Sequence, residues 1–445
     1  MTATRSAIHV HAGRSLTARA VFLPVLLAIL VITSMFIAGQ RATPNNSLFN
    51  VDYGFGPVIR GIVQQHRLGS INHTYGWWSY AGRMPVIPLL GTASYWLSPK
   101  ASVFFLIKNL IFWSLFTYAL FRLKSHYGIP DEWALATILI LLLAPYDLSI
   151  AGRIDVEEGY LFALIALLFS LLLTMEGWGS ALTAGILIAT IYLTKSSMLP
   201  LCMAVAVWIV IKHWKRNVRL IVLPIAGLAL AILSWGIYMK TVSGVFAFGA
   251  DESSWNGWNF YKGNNPYSYP LYPRINLDTL DSEDYAHRLL PFVPVHNEWE
   301  LSHAQLVLGQ RYFHDNPKAA LKMDLKKLFV ACCDLGEAPQ MTPGHTRGLV
   351  VLSNVVNHLT LACVFVFAVI GIIRHKVSEA EILALIMAIF FVLPYLAGFL
   401  YSRHMVPIYG VMALTAAVQL KRWHDQREAP PRELDNAQES ISMAS

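Results

Sequence analysis

The stretch EGYLFALIALLFSLLLTM, residues 158–175, has one acidic residue at its start and contains no lysine or arginine. An α-helix needs about 20 mostly apolar residues to cross the hydrocarbon core of a bilayer, so this stretch predicts a transmembrane helix. Comparable apolar runs occur at 21–39, 102–122, 133–150, 179–194, 196–212, 218–240, 349–373, 380–400 and 404–420. The sequence therefore predicts an all-α polytopic membrane protein with about ten transmembrane helices.

The overall composition agrees with this fold class. Of the 445 residues, 55% are hydrophobic and 14% are charged, and the mean hydropathy is +0.48. Ordinary soluble domains contain about 25% charged residues, so the composition excludes a soluble multidomain protein. The cysteines indicate neither a disulfide framework nor a zinc site, because they form no spaced set and two of them are adjacent: Cys202, Cys332, Cys333 and Cys363.

Lysine and arginine mark alternate loops between the predicted spans. They occur at Arg5, Arg14 and Arg19, and in FRLKSH (121–126), KHWKRNVR (212–219), RHK (374–376) and KRWHDQR (421–427). Basic loops stay on the cytoplasmic side, so both termini are predicted to be cytoplasmic. The formal net charge of +7 then reflects membrane topology, and no nucleic-acid partner is inferred from it.

This topology divides the chain into membrane and non-membrane regions. We expect a cytoplasmic N-terminus at 1–20, a transmembrane region at 21–240 with a first outer loop at 41–100, a large extracytoplasmic loop at 243–348, a second transmembrane region at 349–420, and a disordered cytoplasmic tail at 421–445. The first apolar run is longer than a typical signal-peptide core, so we expect a retained signal anchor.

The two outer segments are predicted to contain short interfacial helices. In the larger segment these are expected at 282–290, 298–315 and 316–329. The last of them has Asn316 as its expected N-cap and Pro317 at its first position. Its apolar residues are expected to share one face, which suits a helix lying on the outer leaflet: Ala320, Leu321, Leu325, Leu328 and Phe329.

The first residue that could carry chemistry is Asp52, in NVDYGFG (50–56), shortly after the first span. A carboxylate at the outer membrane surface can act as a general base on a hydroxyl group. Aspartate also commonly caps a helix, and the residues alone leave both interpretations open.

A second acidic group lies in YDLSIAGRIDVEEGY (146–160), the connection before the predicted span 158–175. Four carboxylates surround the single Arg153, and they repel one another unless a cation or hydrogen-bond donor is present: Asp147, Asp155, Glu157 and Glu158. A solvated loop is the simpler interpretation for Asp147 and Glu157. Glu158 lies nearest the span and is the strongest functional candidate of this group.

Three isolated cations lie at outer span ends, against the positive-inside trend: Arg83, Lys195 and Arg403. Arginine and lysine bind phosphate by charge-assisted hydrogen bonds, so a lipid-linked phosphate would explain their position. Any one of them could instead extend to the lipid headgroups. Lys108 lies near the outer end of the predicted span 102–122, and we expect its side chain to extend to the lipid headgroups.

An aromatic and amide cluster begins the large outer segment. It contains Trp255, Trp258, Tyr261, Asn264, Asn265 and Tyr267. Aromatic faces beside amide groups can hold a sugar ring, because the rings supply flat apolar area and the amides supply donors and acceptors. The same residues also suit packing at the membrane interface, where tryptophan and tyrosine concentrate.

The order of these motifs resembles the GT-C superfamily of integral-membrane glycosyltransferases, in particular the bacterial branch of protein mannosyltransferases and the lipid A aminoarabinose transferase. The resemblance covers most of the chain and rests on NVDYGFG, GRMPVIPLL, VEEGYLFAL, YLTKSSML, WNFYKGNNP, DNPKAALKMDLKKL and YSRHMVPIYG. Two positions differ from the family pattern. Tyr53 stands where a second acidic residue is usual, and His404 stands where a tyrosine is usual.

The resemblance implies an inverting sugar transfer from a polyprenyl-phosphate donor to an acceptor on the periplasmic side of the bacterial inner membrane. In that scheme Asp52 deprotonates the acceptor hydroxyl. The cations Lys195, Arg403 and Arg83 bind the lipid phosphate. Glu158, Asp155 and Glu157 orient the acceptor or the sugar, and the segment 243–348 closes over the site. No cofactor is predicted, and no metal is indicated.

Two other functions remain compatible with the sequence. A non-enzymatic translocator of lipid-linked sugars would use the same cations, but it requires polar residues deep within several spans. A polysaccharide polymerase or ligase would share both the topology and the donor. The sequence leaves the sugar and the acceptor undetermined, whether the acceptor is a glycan, a lipid or a protein.

Overall fold

The computed structural model describes residues 47–51, 55–71, 76–80, 82–142, 156–215, 217–249, 257–272, 295–333, 347–373, 377–398, 400 and 402–428. Nearly all of the regular structure is helical. The first seven helices are α1 (Phe55–Gln65), α2 (Val86–Leu97), α3 (Ala101–Tyr127), α4 (Asp131–Leu142), α5 (Val156–Leu173), α6 (Trp178–Thr194) and α7 (Leu199–His213). The next eight are α8 (Val218–Ser243), α9 (Gly257–Gly263), α10 (Ser268–Leu271), α11 (Glu298–Asp315), α12 (Pro317–Cys333), α13 (Arg347–Ile373), α14 (Glu379–Ala397) and α15 (Val406–Glu428).

The remaining regular structure is short. Strands β1 (Ser70–Ile71) and β2 (Trp78–Ser79) form one antiparallel pair. Short 3₁₀ turns occur at Leu48–Asn50, Ser196–Met198 and Ser402–Met405. Within the described ranges, four segments are long and apolar enough to cross a bilayer: Ala101–Tyr127, Ser196–His213, Val218–Ser243 and Glu379–Ala397.

Helix α5 forms the centre of the bundle. It packs against α3, α6, α14 and α15. Its described side chains from Glu157 to Leu173 are buried on every face, because neighbouring helices surround this helix, which is apolar all round. Phe162 lies 5.0 Å from Phe112 and 5.1 Å from Phe116 of α3, measured between ring centroids. The opposite neighbour is α15, where Gly410 leaves room for the same ring.

Helices α6 and α8 cross closely at two glycines. A Cβ added at Gly185 would lie 2.7 Å from the carbonyl oxygen of Leu223, and one added at Gly227 would lie 2.5 Å from that of Gly185. Small residues at such crossings allow backbones to approach in a membrane, where apolar side chains gain little by leaving lipid. The crossing fixes the position of α6, which ends at Thr194.

The basic loops meet at one end of the bundle, which we call the basic end. Lys124 pairs with Asp131 at 2.6 Å, and Lys212 donates to the carbonyl of Leu172 at 2.8 Å. Glu381 accepts from Gln419 at 3.0 Å and lies 3.5 Å from Arg422. The predicted cytoplasmic loops that the structure describes thus share one end, and the first turn of α5 lies at the opposite end. The direction of the bundle across the membrane remains a prediction.

The opposite end carries the helices of the large outer segment. Helices α9 and α11 pack together, and α12 contacts both α14 and the turn Ser402–Met405. Glu298, at the start of α11, joins this segment to the first outer loop. Its buried carboxylate accepts from the backbone N–H of Tyr80 at 3.1 Å and from the hydroxyl of Ser79. The two outer segments therefore form one connected layer.

The described helices agree with most of the predicted apolar runs. The run 196–212 begins as a 3₁₀ turn, and only residues 133–142 of the run 133–150 are described. The expected helices at 298–315 and 316–329 are confirmed by α11 and α12. The run 21–39 and the expected helix at 282–290 lie outside the described residues. A total of about ten spans therefore remains a prediction.

Two expectations were wrong. Lys108 does not extend to the headgroups. Its side chain is buried at 0% exposure, with Nζ 5.4 Å from the centroid of the Phe105 ring. The segment 421–445 is not disordered throughout, because α15 continues to Glu428. Lys421 pairs with Asp425 one helical turn later, which supports this extension of the helix.

Helix α12 exposes an apolar stripe on the side away from the bundle. Leu321, Leu325 and Phe329 are 61%, 59% and 66% exposed. Ala320 does not join them, since it is buried on the opposite face together with Lys327. Because α12 is attached beside the end of the candidate span α14, the stripe lies at the level where a membrane would end, as expected of an interfacial helix.

A spin label attached at position 325 should therefore contact lipid. In a chain whose native cysteines are replaced by alanine, a label on Leu325→Cys should be relaxed more by oxygen than by a water-soluble nickel chelate. A label on His314→Cys, at the exposed end of α11, should show the reverse. Electron paramagnetic resonance in proteoliposomes measures both effects. Equal relaxation by the nickel chelate at the two positions would contradict the interfacial placement.

Candidate functional site

A buried group of ionic side chains lies at the end of α5 that is opposite the basic end. Glu157 and Glu158 occupy the first turn of α5, and Lys195 follows the last residue of α6. The ammonium nitrogen of Lys195 lies 2.9 Å from Oε2 of Glu157 and 3.0 Å from Oε1 of Glu158. Each charge lies at the helix terminus that favours it, because the macrodipole attracts anions to the N-terminus and cations to the C-terminus.

The charges in this group do not cancel. Among the contacts that the structure describes, two carboxylates face one ammonium group, which gives these three side chains a formal charge of −1, and the residues are only 6%, 5% and 8% exposed in the order Glu157, Glu158, Lys195. Oε1 of Glu157 is buried and accepts no hydrogen bond from any residue that the structure describes. A buried carboxylate oxygen without a donor is unfavourable, so this atom is suited to accept a hydrogen bond from a ligand.

Two aromatic residues extend the ionic group. The ring of Tyr395, near the end of α14, lies 5.5 Å from Nζ of Lys195, close enough for a cation–π contact. His404 stacks on the same ring, with 4.8 Å between centroids and 19° between planes. We call Glu157, Glu158, Lys195, Tyr395 and His404 the site cluster. It joins the ends of α5, α6, α14 and the turn before α15.

The other predicted catalytic and phosphate-binding residues lie next to this cluster in sequence, in the first outer loop, or outside the described ranges. Asp52, Asp155 and Trp255 are not among the described residues. Arg403 belongs to the turn Ser402–Met405, next to His404. Arg83 lies in the first outer loop, with its guanidinium 5.0 Å from the centroid of the Phe55 ring. Their assigned roles in catalysis and phosphate binding remain predictions.

The side-chain amides of Asn264 and Asn265 form hydrogen bonds with the backbone of the fold. Asn264 donates to the carbonyls of Phe260 and Ala397, both at 2.8 Å. Asn265 donates to Tyr261, and its oxygen accepts from two backbone N–H groups of the following turn. These amides therefore hold the loop and attach it to α14, and a sugar contact made by them remains a prediction.

The aromatic part of the predicted platform is divided. Tyr261 is buried at 7% exposure, whereas Trp258 is half-buried and lies over the ammonium of Lys262 at 4.8 Å. Trp258 therefore retains partial access to a ligand. Tyr267 is 51% exposed and is the most open member of the cluster that the structure describes.

Sequence reasoning missed Tyr395 and Lys327. Tyr395 lies in an apolar run where an interfacial tyrosine needs no special explanation. Lys327 resembles the other lysines of α12, but it is fully buried at 0% exposure. Its spacing from the exposed Lys318 and Lys322 places it on another face of the helix. This spacing is the sequence feature that could have indicated its burial. Within the described ranges, no group of three or more histidine, cysteine or acidic side chains could hold a metal ion.

Comparisons with known proteins give a weak structural similarity. No family model matches the chain, and no curated protein has a significant match. The crystal structure of ArnT from Cupriavidus metallidurans bound to undecaprenyl phosphate is similar at 14% sequence identity. The similarity covers 90% of this chain and 78% of that chain, with a TM-score of 0.39. Similarity at this level identifies neither the family nor the reaction of this chain.

Replacing Lys195 should strongly destabilise the protein. Lys195→Met leaves two buried carboxylates without their cation, a change that typically costs about 3–5 kcal/mol. The exposed Lys215→Met is the matched control. The triple change Lys195→Met, Glu157→Gln and Glu158→Gln should recover much of the loss, because it also removes the carboxylate charges. Thermal unfolding in detergent measures all three variants, and equal midpoints for Lys195→Met and Lys215→Met would contradict a stabilising role for the buried ammonium group.

Proposed function

We propose that this chain is a membrane glycosyltransferase that transfers one sugar from a polyprenyl-phosphate donor to an acceptor on the periplasmic face of the bacterial inner membrane. The observation that supports this function best is the site cluster. It joins, at the end of the bundle opposite the basic end, three segments that each resemble a glycosyltransferase motif: VEEGYLFAL, YLTKSSML and YSRHMVPIYG.

The proposed reaction is a single displacement. Asp52 takes the proton from an acceptor hydroxyl, and the resulting nucleophile attacks the anomeric carbon of the sugar. The bond from that carbon to the phosphate oxygen breaks as the new glycosidic bond forms, so the configuration inverts. The lipid phosphate leaves with the electron pair of the broken bond, and nearby cations stabilise its charge.

The geometry of the site cluster favours different roles for Lys195 and for the two predicted arginines, Arg403 and Arg83. The charge of Lys195 is shared by two carboxylates at 2.9 and 3.0 Å. An approaching phosphate would be repelled by the net negative charge of this group. We therefore assign the leaving phosphate chiefly to Arg403 and Arg83, and we assign Lys195 to holding the carboxylates in place.

The carboxylates are then suited to orient the sugar. Sugar hydroxyls are hydrogen-bond donors, and Oε1 of Glu157 is a buried acceptor that receives no hydrogen bond within the described part of the chain. Glu158, and Asp155 before it in the chain, would complete the same surface. This assignment gives Glu157 a larger role than the sequence suggested, because its position in the bundle, rather than in the loop, determines its environment.

The central test replaces Asp52 by asparagine. Loss of the general base should lower transfer by about 100-fold or more, while the protein still inserts in the membrane. Glycans and glycolipids extracted from cells carrying the wild-type chain, a deletion and Asp52→Asn would be compared by mass spectrometry. Asp315→Asn, at the exposed end of α11, is the matched control and should retain full transfer.

The outcomes separate the candidate functions. If one sugar is missing from the same product in the deletion and in Asp52→Asn, the transferase function stands, and the missing group identifies both donor and acceptor. A deletion phenotype that Asp52→Asn restores fully would overturn the proposed base and favour a translocator. Loss of chain length, rather than of a single sugar, would indicate a polymerase.

A further inference from the structure

We infer that the large outer segment positions the site cluster through a latch, in which Lys327 and Asn264 bind the C-terminal carbonyls of α14 and thereby hold Tyr395 against Lys195 and His404. This inference rests on the proposed function only in calling the cluster a site. The contacts that form the latch do not depend on that function.

The C-terminus of α14 requires such partners. The last four carbonyl groups of a helix have no hydrogen-bond donor within the helix itself, so a buried helix end needs donors from elsewhere. Nζ of Lys327 donates to the carbonyl of Leu396 at 2.8 Å, and Nδ2 of Asn264 donates to that of Ala397 at 2.8 Å. The phenol of Tyr272 donates to the carbonyl of Leu400 just beyond. Two side chains of the outer segment therefore bind the end of α14, and a third binds the chain just beyond it.

Lys327 is an unusual residue for this work. It is fully buried, and burial lowers the pKa of its ammonium group, while the neighbouring Asp324 at 2.9 Å partly offsets that effect. A buried lysine is costly unless it is paired and hydrogen-bonded. Asp324 and the carbonyl of Leu396 meet this requirement together, so the charge of Lys327 is best satisfied when α12 and α14 are in contact.

The latch also has a steric component. Gly263, at the end of α9, lies against Gly398 so closely that an added Cβ would overlap the carbonyl oxygen of Gly398. It would also come within 3.2 Å of Nζ of Lys327. No side chain larger than hydrogen fits at position 263, where α9 meets the end of α14. The contact can therefore be broken either by removing the ammonium group or by adding a methyl group.

The latch lies one residue from the site cluster. Leu396 and Ala397 directly follow Tyr395, whose ring lies 5.5 Å from Nζ of Lys195 and 4.8 Å from the ring of His404. A helix end whose carbonyls lose their donors unwinds from its last turn, and that turn carries Tyr395. Lys327 and Asn264 are thus positioning residues that act through Tyr395.

The experiment uses two variants that break the latch differently, Lys327→Met and Gly263→Ala. Each has a matched control that keeps the latch. Lys322→Met removes an exposed lysine from another face of α12, and Gly179→Ala adds a methyl group where nothing lies within 4 Å. All four full-length proteins, purified in detergent, would be compared with the wild-type chain.

Two readouts do not depend on enzymatic activity. Hydrogen–deuterium exchange should accelerate by about tenfold or more for amides 395–398 in both latch variants, because a lost hydrogen bond to a charged group destabilises the helix end by an amount of that order. Acetylation of Lys195 by an amine-reactive reagent should rise in the same variants, because Tyr395 no longer covers it. Both controls should match the wild-type chain.

A third readout separates positioning from a merely structural role. Once the missing sugar has identified the donor and acceptor, kcat per folded molecule should fall about tenfold in both latch variants, while KM changes less than threefold. Unchanged exchange at 395–398 in both variants would overturn the latch. Faster exchange with unchanged Lys195 acetylation and unchanged kcat would overturn its positioning role. If the wild-type chain transfers no sugar, the proposed function fails, and exchange and acetylation still decide the latch.

Discussion

The fold depends on one buried ionic contact, the ammonium group of Lys195 between the carboxylates of Glu157 and Glu158. Glu158 and Lys195 are 37 residues apart in the sequence, and their contact joins the start of the central helix α5 to the end of α6. Apolar packing determines which helix faces meet, but many axial shifts of one apolar helix along another have similar packing energies. Three charges at low exposure permit far fewer shifts, because any displacement leaves a buried charge without its partner.

The same physics explains what could be predicted from the sequence. Apolar runs predicted most helices of the bundle, because helix formation within a membrane is dictated by composition over about 20 residues. The chemistry was only partly predictable. Glu158 and Lys195 could each be recognised as charges in unsuitable places, but their pairing could not, since it depends on how two helices are arranged. The role proposed for Lys195 changed for this reason: the sequence suggested that it binds phosphate, whereas in the structure it pairs with two carboxylates.

Residues that look alike in sequence can also differ completely in the folded chain. Lys322 and Lys327 belong to one lysine-rich helix, yet one is exposed and the other is fully buried against the end of α14. Asn264 and Asn265 looked like sugar ligands, because an amide that binds a backbone carbonyl and an amide that binds a hydroxyl have the same sequence signature. Tyr395 gave no signal at all, because its importance comes from its two neighbours in space.

Helix α12 has two opposite faces with different tasks, an exposed apolar stripe and a buried ammonium group bound to α14. Because the helix is rigid, it fixes the distance between the site cluster and the lipid surface that the stripe is expected to contact. The polyprenyl-phosphate donor proposed above would carry its reacting group at a fixed distance from the same surface. The contact between α12 and α14 would then set the depth of the site cluster relative to the headgroup region in which that group lies.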